Sequence, residues 1–203
     1  MSSTIKVLLA EDQSMVREAL AALLGLEDDI EVVAQVARGD EVLAAAREHD
    51  VDVALLDIEM PGCTGIEAAA RVHAALPDVK LVVLTTFGRP GHLRSAMEAG
   101  ADAFLVKDAP AAQLAAAVRK VLAGERVIDP TLAAAALAGG ANPLTDRERE
   151  VLRAAADGST NAELAALHLS QGTVRNYLST AIQKLAVRNR AEAVRIARDK
   201  GWL

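Results

Sequence analysis

Residues 53–65 read VALLDIEMPGCTG. Four apolar residues run straight into Asp57, and the turn pair Pro61-Gly62 follows shortly after. A short continuous apolar run bounded by turn residues marks a strand buried on both faces, as in a parallel sheet. Working outward, the same pattern recurs: the run Ile5–Ala10 ends at Glu11-Asp12, residues 81–84 end at Thr85, and Ala103–Val106 ends at Lys107. In an open parallel sheet the carboxyl ends of the strands line one crevice, so residues tens of positions apart converge there. Three carboxylates, a hydroxyl and an ammonium in one crevice suit a divalent cation and a phosphoryl group, because hard cations such as Mg²⁺ or Mn²⁺ take oxygen ligands. Each of these residues alone reads as a helix cap or a solvated loop. Their joint placement at four strand ends carries the functional reading.

Between the strand-like runs lie helical ones. Ser14–Leu24 places Val16, Ala19, Leu20, Leu23 and Leu24 on one face, and helices are expected over 40–48, 65–76, 90–99 and Ala111–Leu122, with a further strand over 31–36. Five βα units imply an α/β fold: a parallel sheet sandwiched by helices, with all βα loops at one edge.

The chain has 203 residues, enough for two domains that each bury a core. Hydrophobic residues make up 52%, yet no apolar run approaches the ~20 residues of a membrane span, and the N-terminus lacks a signal peptide's features. A soluble, cytoplasmic protein is expected, with no insertion into membrane. The single cysteine, Cys63, excludes an internal disulfide and a Cys-based zinc cluster, and is read as a loop thiol without chemistry. Aromatics at 2% argue against stacking platforms for single-stranded nucleic acid. Charge is divided unevenly. Residues 1–143 carry 12 Lys/Arg against 21 Asp/Glu, net −9, and residues 144–203 carry 10 against 7, net +3. The two parts thus have different electrostatic jobs. Three segments follow: a domain over 1–123, a linker over 124–142 that is partly helical at Pro130–Ala138, and a small all-helical domain over 143–203.

In that last segment Thr145 with Glu148 forms a capping-box signature, and Thr160 with Glu163 repeats it ahead of a short helix over 161–166. Ser170 opens a longer helix from Gln171 to about Leu185, and a fourth starts at Arg190. In the longer helix Val174, Leu178, Ile182 and Leu185 recur at core spacing, which leaves Arg175, Asn176, Ser179 and Gln183 on an exposed stripe.

The stretches AEDQSMVREAL, ALLDIEMPGCTGIEA, LTTFG and AGADAFLVKDA resemble a response-regulator receiver domain over roughly residues 4–123. The resemblance implies a flavodoxin-like doubly wound (βα)5 fold with sheet order 2-1-3-4-5. It further implies phosphotransfer from the phosphohistidine of a cognate sensor kinase to Asp57. On that reading Asp12 and Asp57 bind Mg²⁺ directly, Glu11 binds it through water, and the backbone carbonyl of Glu59 completes the protein ligands. Lys107 pairs with the phosphoryl oxygens. Thr85 and Phe104 form the switch, and Glu59 and Phe87 tune how fast the acyl phosphate is hydrolysed. The chain would catalyse only its own phosphorylation and dephosphorylation.

PLTDREREVLRAAADG, ELA, SQGTVRNYLSTAIQKLAV and RNRAEAV resemble the LuxR-type helix-turn-helix, which with a receiver makes the NarL/FixJ class of transcriptional regulators. The partner implied is double-stranded promoter DNA bound by a phosphorylation-driven homodimer. Thr173, Arg175, Asn176, Tyr177 and Ser179 are the expected DNA contacts, with Lys184 on phosphate. AELAALHLS is one residue shorter before Ser170 than is usual in that family, which would shorten the scaffold helix or rotate it by about 100°. His168 beside it is expected to be a surface or half-buried residue rather than a ligand. TTFGRPGHLR with DIEMPG is most similar to regulators of fatty-acid desaturase genes. Two rivals stand beside this reading. An aspartyl-phosphate hydrolase would carry a second Asp where Glu59 stands. A pseudo-receiver would lack the set Asp12, Asp57, Thr85 and Lys107.

Overall fold

The computed structural model describes residues 4–86, 90–107, 110–138, 142–156, 169–200 and 202–203. The chain divides into two compact units, the first ending at Ala133.

In the first unit the apolar runs form parallel strands: β1 (Ile5–Ala10), β2 (Ile30–Val36), β3 (Val53–Asp57), β4 (Lys80–Thr85) and β5 (Ala103–Val106). The order β2-β1-β3-β4-β5 is as expected, and it continues into a sixth strand, β6 (Val127–Ile128), inside the stretch read as linker. Two residues have no periodicity to detect. They join the sheet because the β5 edge offers unpaired backbone groups: the Val127 N–H donates to Asp102 O at 3.1 Å and the Asp129 N–H to Phe104 O at 3.2 Å.

Strand alternation sends successive side chains to opposite faces. Val7, Leu9, Val53, Leu55, Val82, Leu84, Ala103 and Leu105 pack against α1 (Ser14–Leu24) and α5 (Ala111–Leu122). Leu8, Ala10, Ala54, Leu56 and Leu81 pack against α2 (Val42–Glu48) and α3 (Gly65–Ala75). A 3-10 turn, Gly39–Glu41, precedes α2, and α4 (Pro90–Glu98) lies between β4 and β5 in the chain.

The buried side of α1 differs from the expected one. Leu20, Ala21 and Leu24 face the core, whereas Ala19 and Leu23 are exposed. Each step along a helix turns 100°, so a single core-facing stripe cannot hold every apolar position of an apolar-rich helix. Cys63, expected in a loop, is buried there, and a Cβ on Gly39 would lie 2.0 Å from its carbonyl oxygen.

The chain then forms α6 (Pro130–Ala138), with the bounds expected for the helix within the linker, and enters the second unit's helices α7 (Asp146–Ala156), α8 (Gln171–Lys184) and α9 (Arg190–Asp199). Their core joins Val151, Leu152 and Ala155 to Val174, Leu178 and Ala181 and to Ala193, Val194 and Ala197. Caps set the helix starts: Ser170 Oγ accepts from the Thr173 N–H at 3.1 Å, and Asn189 Oδ1 from the Glu192 N–H at 2.9 Å. Helix α8 ends with Ala186 at φ +52°, where the Ala186 and Val187 N–H groups donate to the Gln183 and Ile182 carbonyls. This is the Schellman arrangement, with alanine where glycine is usual. The expected short helix at 161–166, its Thr160/Glu163 cap, the shortened turn and His168 lie outside the described residues.

Candidate phosphoryl-transfer site and nucleic-acid interface

Sheet register brings the first site together. Ala10 pairs with Leu56, Asp57 with Leu84, and Thr85 with Val106. Glu11, Asp57, Thr85 and Lys107 therefore leave four neighbouring strands at nearly one level. Glu11, Asp57 and Thr85 are buried, while Asp12 is exposed. Lys107 Nζ donates to Glu11 Oε2 at 2.5 Å and lies 2.9 Å from Asp57 Oδ1, with its side chain only 8% exposed.

Carboxylate oxygens of Glu11, Asp12 and Asp57 lie within 4.8 Å of one another. Three negative charges against the one positive charge of Lys107 leave an excess of two, which a divalent cation balances. The all-oxygen donor set fits Mg²⁺ or Mn²⁺. Burial raises the Asp57 carboxyl above the usual carboxylate range against the pull of Lys107. Burial and the Asp57 charge raise Glu11 in the same way. Burial works against the charge of Lys107, but its two carboxylate partners win and hold it charged, above the usual lysine value. The pocket thus holds two carboxylates that share one cation, in surroundings that favour any further positive charge.

Neighbouring residues hold these groups in place. The Gln13 N–H donates to Glu11 Oε1 at 3.3 Å, and Arg17 Nη1 donates to the Glu11 carbonyl at 2.6 Å. Arg17 carries no strand-end signal, and the sequence reading missed it. A Cβ on Gly65 would lie 1.9 Å from the Asp57 carbonyl oxygen, so only glycine lets α3 start against the end of β3. Thr64 and Glu67 close a reciprocal capping box there, with N–H to oxygen distances of 2.8 and 3.2 Å. Phe104 is fully buried, on the sheet face opposite Ala103 and Leu105, and Glu59 is exposed. Phe87 lies outside the described residues.

In the second unit, Arg175, Asn176, Ser179 and Gln183 are exposed on one side of α8, opposite buried Val174 and Leu178. Ala181 is buried as well, and Ile182 and Leu185 are half-buried against the core. Tyr177 is half-buried and packs on that core, and Thr173 joins its hydroxyl to Ser170 Oγ at 2.8 Å at the start of the helix. Lys184, expected on DNA phosphate, also has a partner within the unit: its ammonium sits 2.8 Å from Oε2 of buried Glu148 on α7. A partner 36 residues away in sequence leaves no local signal.

Residues 7–119 match the response regulator receiver domain family, and residues 142–197 match the bacterial regulatory proteins of the luxR family. The chain is 45% identical over 199 residues to the transcriptional regulatory protein DesR of Bacillus subtilis (strain 168), with 98% of each chain covered. Against the crystal structure of response regulator ChrA of a heme-sensing two-component system it has 34% identity and a TM-score of 0.60, with 100% of both chains covered. The two-component response regulator RcsB in complex with DNA shares the fold at 21% identity, with a TM-score of 0.69 and 97% of this chain and 99% of that one covered. Strand-end chemistry, sheet order and these likenesses agree: the chain belongs to the two-component response regulators that join a receiver domain to a LuxR-type DNA-binding domain and regulate transcription.

Proposed function

We propose that Asp57 is the phosphoacceptor, and that phosphorylation drives dimerisation and sequence-specific promoter binding. The observation that carries this is the buried cluster in which one ammonium, Lys107, serves both Asp57 and Glu11 beside the exposed Asp12. An Asp57 carboxylate oxygen attacks the phosphorus of a phosphohistidine on the cognate kinase. The P–O bond forms as the P–N bond breaks, and its electron pair stays on the kinase's imidazole. A carboxylate is a weak nucleophile towards an anionic phosphoryl group, so the work lies in positioning and in cancelling charge. Lys107 does this for the phosphoryl oxygens. Glu11, Asp12, Asp57 and the Glu59 carbonyl would hold Mg²⁺ or Mn²⁺, which supplies further positive charge when bound. The chain acts in this way on itself alone, in the cytoplasm; among the described residues no helix is long and apolar enough to cross a membrane.

The phosphoaspartate adds about two negative charges and new acceptor oxygens. Thr85, at the end of β4, and Phe104, on β5, respond to that change, while Glu59 and Phe87 govern access of water to the acyl phosphate. Dimerisation uses α1 and α5, which leave large apolar side chains exposed: Met15 and Leu23 on α1, Leu26 just after it, and Leu122 at the end of α5. In the second unit Arg175 and Asn176 read base edges, and Thr173 and Ser179 contact the backbone. Tyr177, half-buried beside this stripe, adds a further contact from the same helix. The wording TTFGRPGHLR with DIEMPG, shared with regulators of fatty-acid desaturase genes, supports genes of membrane-lipid desaturation as targets.

Intact-mass measurement after incubation with a small acyl-phosphate donor and Mg²⁺ tests the proposal. A transient gain of one phosphate, lost in Asp57→Asn, is expected. Donor turnover without accumulation would indicate a hydrolase, and no reaction at all a pseudo-receiver. A gain that persists in Asp57→Asn would refute the assignment.

A further inference from the structure

Glu148 is 4% exposed, and it is the only acidic side chain buried in the second unit among the described residues. Its Oε2 accepts from the Thr145 N–H at 2.7 Å and from Lys184 Nζ at 2.8 Å, and its own N–H donates to Thr145 Oγ1 at 3.3 Å. A capping box needs only the Thr145 half of this arrangement. The Lys184 half reaches across to the last residue of the helix that carries Arg175 and Asn176. Lys184 is exposed as a residue, with 33% of its side chain accessible, yet its charged end is paired with the carboxylate of α7.

The apolar stripe Val174, Leu178 and Ala181 sets which side of α8 faces the core. Such contacts are non-directional and tolerate sliding better than a charge-assisted hydrogen bond does. Fixing where α8 lies along α7 needs one contact with direction, and the pair joining the start of α7 to the end of α8 supplies it. A shift of one residue along a helix is ~1.5 Å with a turn of about 100°, enough to misdirect any side chain that reads a base edge.

We infer that Lys184 acts on DNA through Glu148, as a positioning residue that sets the placement of the recognition helix, and not as a phosphate contact. This rests on the DNA-reading role proposed for α8. The two accounts differ in sign. If Lys184 touched phosphate, removing the neighbouring negative charge in Glu148→Gln would leave binding as tight or tighter. If the pair sets position, Glu148→Gln weakens binding although the protein has become less acidic.

The test uses the full-length protein, phosphorylated by a small acyl-phosphate donor, and a duplex selected by that protein from a random pool. Fluorescence anisotropy over a salt series gives affinity and log-log salt slope. Lys184→Met keeps the apolar stem, so folding should persist, and this variant decides by itself. About a tenfold loss of affinity for the selected duplex is expected, with the slope of wild type retained. A phosphate contact would instead lower the slope by about one and weaken all sequences alike. Glu148→Gln is expected to lose affinity to a similar degree, and the double variant no more than either single one, because both remove the same interaction. Lys184→Arg, which keeps the charge and the pair, should restore binding. A slope reduced by about one in Lys184→Met, or tighter binding by Glu148→Gln, overturns the inference while the DNA-binding reading stands. A wild-type protein that selects no sequence from the pool refutes the DNA-reading role itself.

Discussion

Lys107→Ala measures how strongly the acidic cluster depends on the ammonium that, among the described residues, pairs with both Glu11 and Asp57. The ammonium lies 2.5 Å from Glu11 and 2.9 Å from Asp57, whose side chains are 1% and 7% exposed. Removing one partner from a buried pair costs about 3–5 kcal/mol, because the remaining charge is left without compensation. Here two carboxylates lose their partner at once. The site opens toward exposed Asp12, however, so water can enter the vacated space, and the loss should fall at the lower end, about 3 kcal/mol. For a unit of this size that lowers Tm by roughly 10 °C. Asp57→Asn is the control. It removes one of two competing negative charges and leaves Lys107 with Glu11, so it should cost less than about 1 kcal/mol. Both are read by chemical denaturation at pH 7 without divalent cations, following the first unit's transition. A loss below about 1 kcal/mol for Lys107→Ala, or an equal loss in Asp57→Asn, would refute the shared-cation account.

Thr85→Ala should still accept phosphate, since Asp57, the acidic residues and Lys107 remain, but should gain less dimer and DNA affinity on phosphorylation; size-exclusion chromatography and anisotropy compare the two, and an equal gain removes Thr85 from the coupling. Ala186→Gly should stabilise the second unit, because alanine at φ +52° has an unfavourable left-handed backbone; the gain is roughly 0.5–1 kcal/mol after glycine's greater unfolded freedom is subtracted, visible as a higher Tm. Burial disfavours the charge on Glu148, but Lys184 and Thr145 outweigh it and hold the carboxyl below its ordinary value of 4.5. A depressed carboxyl stabilises the folded state above that value and loses the contribution as pH falls through the folded pKa. The second unit of wild type should therefore lose more Tm than Glu148→Gln as pH is taken below about 4.5, and parallel losses would show the pair to be energetically idle.

Strands β1, β3, β4 and β5 were legible because each is a buried apolar run that ends at a polar residue the run cannot absorb. That one local contrast supplied both the α/β class and Glu11, Asp57, Thr85 and Lys107 as a set. Helix α8 and its exposed Arg175 and Asn176 were legible from period and cap for the same reason: each signal lies within about one turn of chain. Tertiary structure decided whatever depended on a neighbour distant in sequence. Strand β6 exists because the β5 edge needed partners, and Val127–Ile128 alone is too short to carry a pattern. The core-facing side of α1 was set by how the helix lies on the sheet, which turned Leu23 outward and Leu24 in. Arg17 came to the Glu11 carbonyl through the path of the loop before α1. Lys184 reads as a phosphate ligand by its type and position, and became the partner of Glu148 only when packing buried a carboxylate 36 residues away that needed a cation. Local patterns specify which groups are available, and the cost of leaving a buried polar group unpaired decides which of them meet.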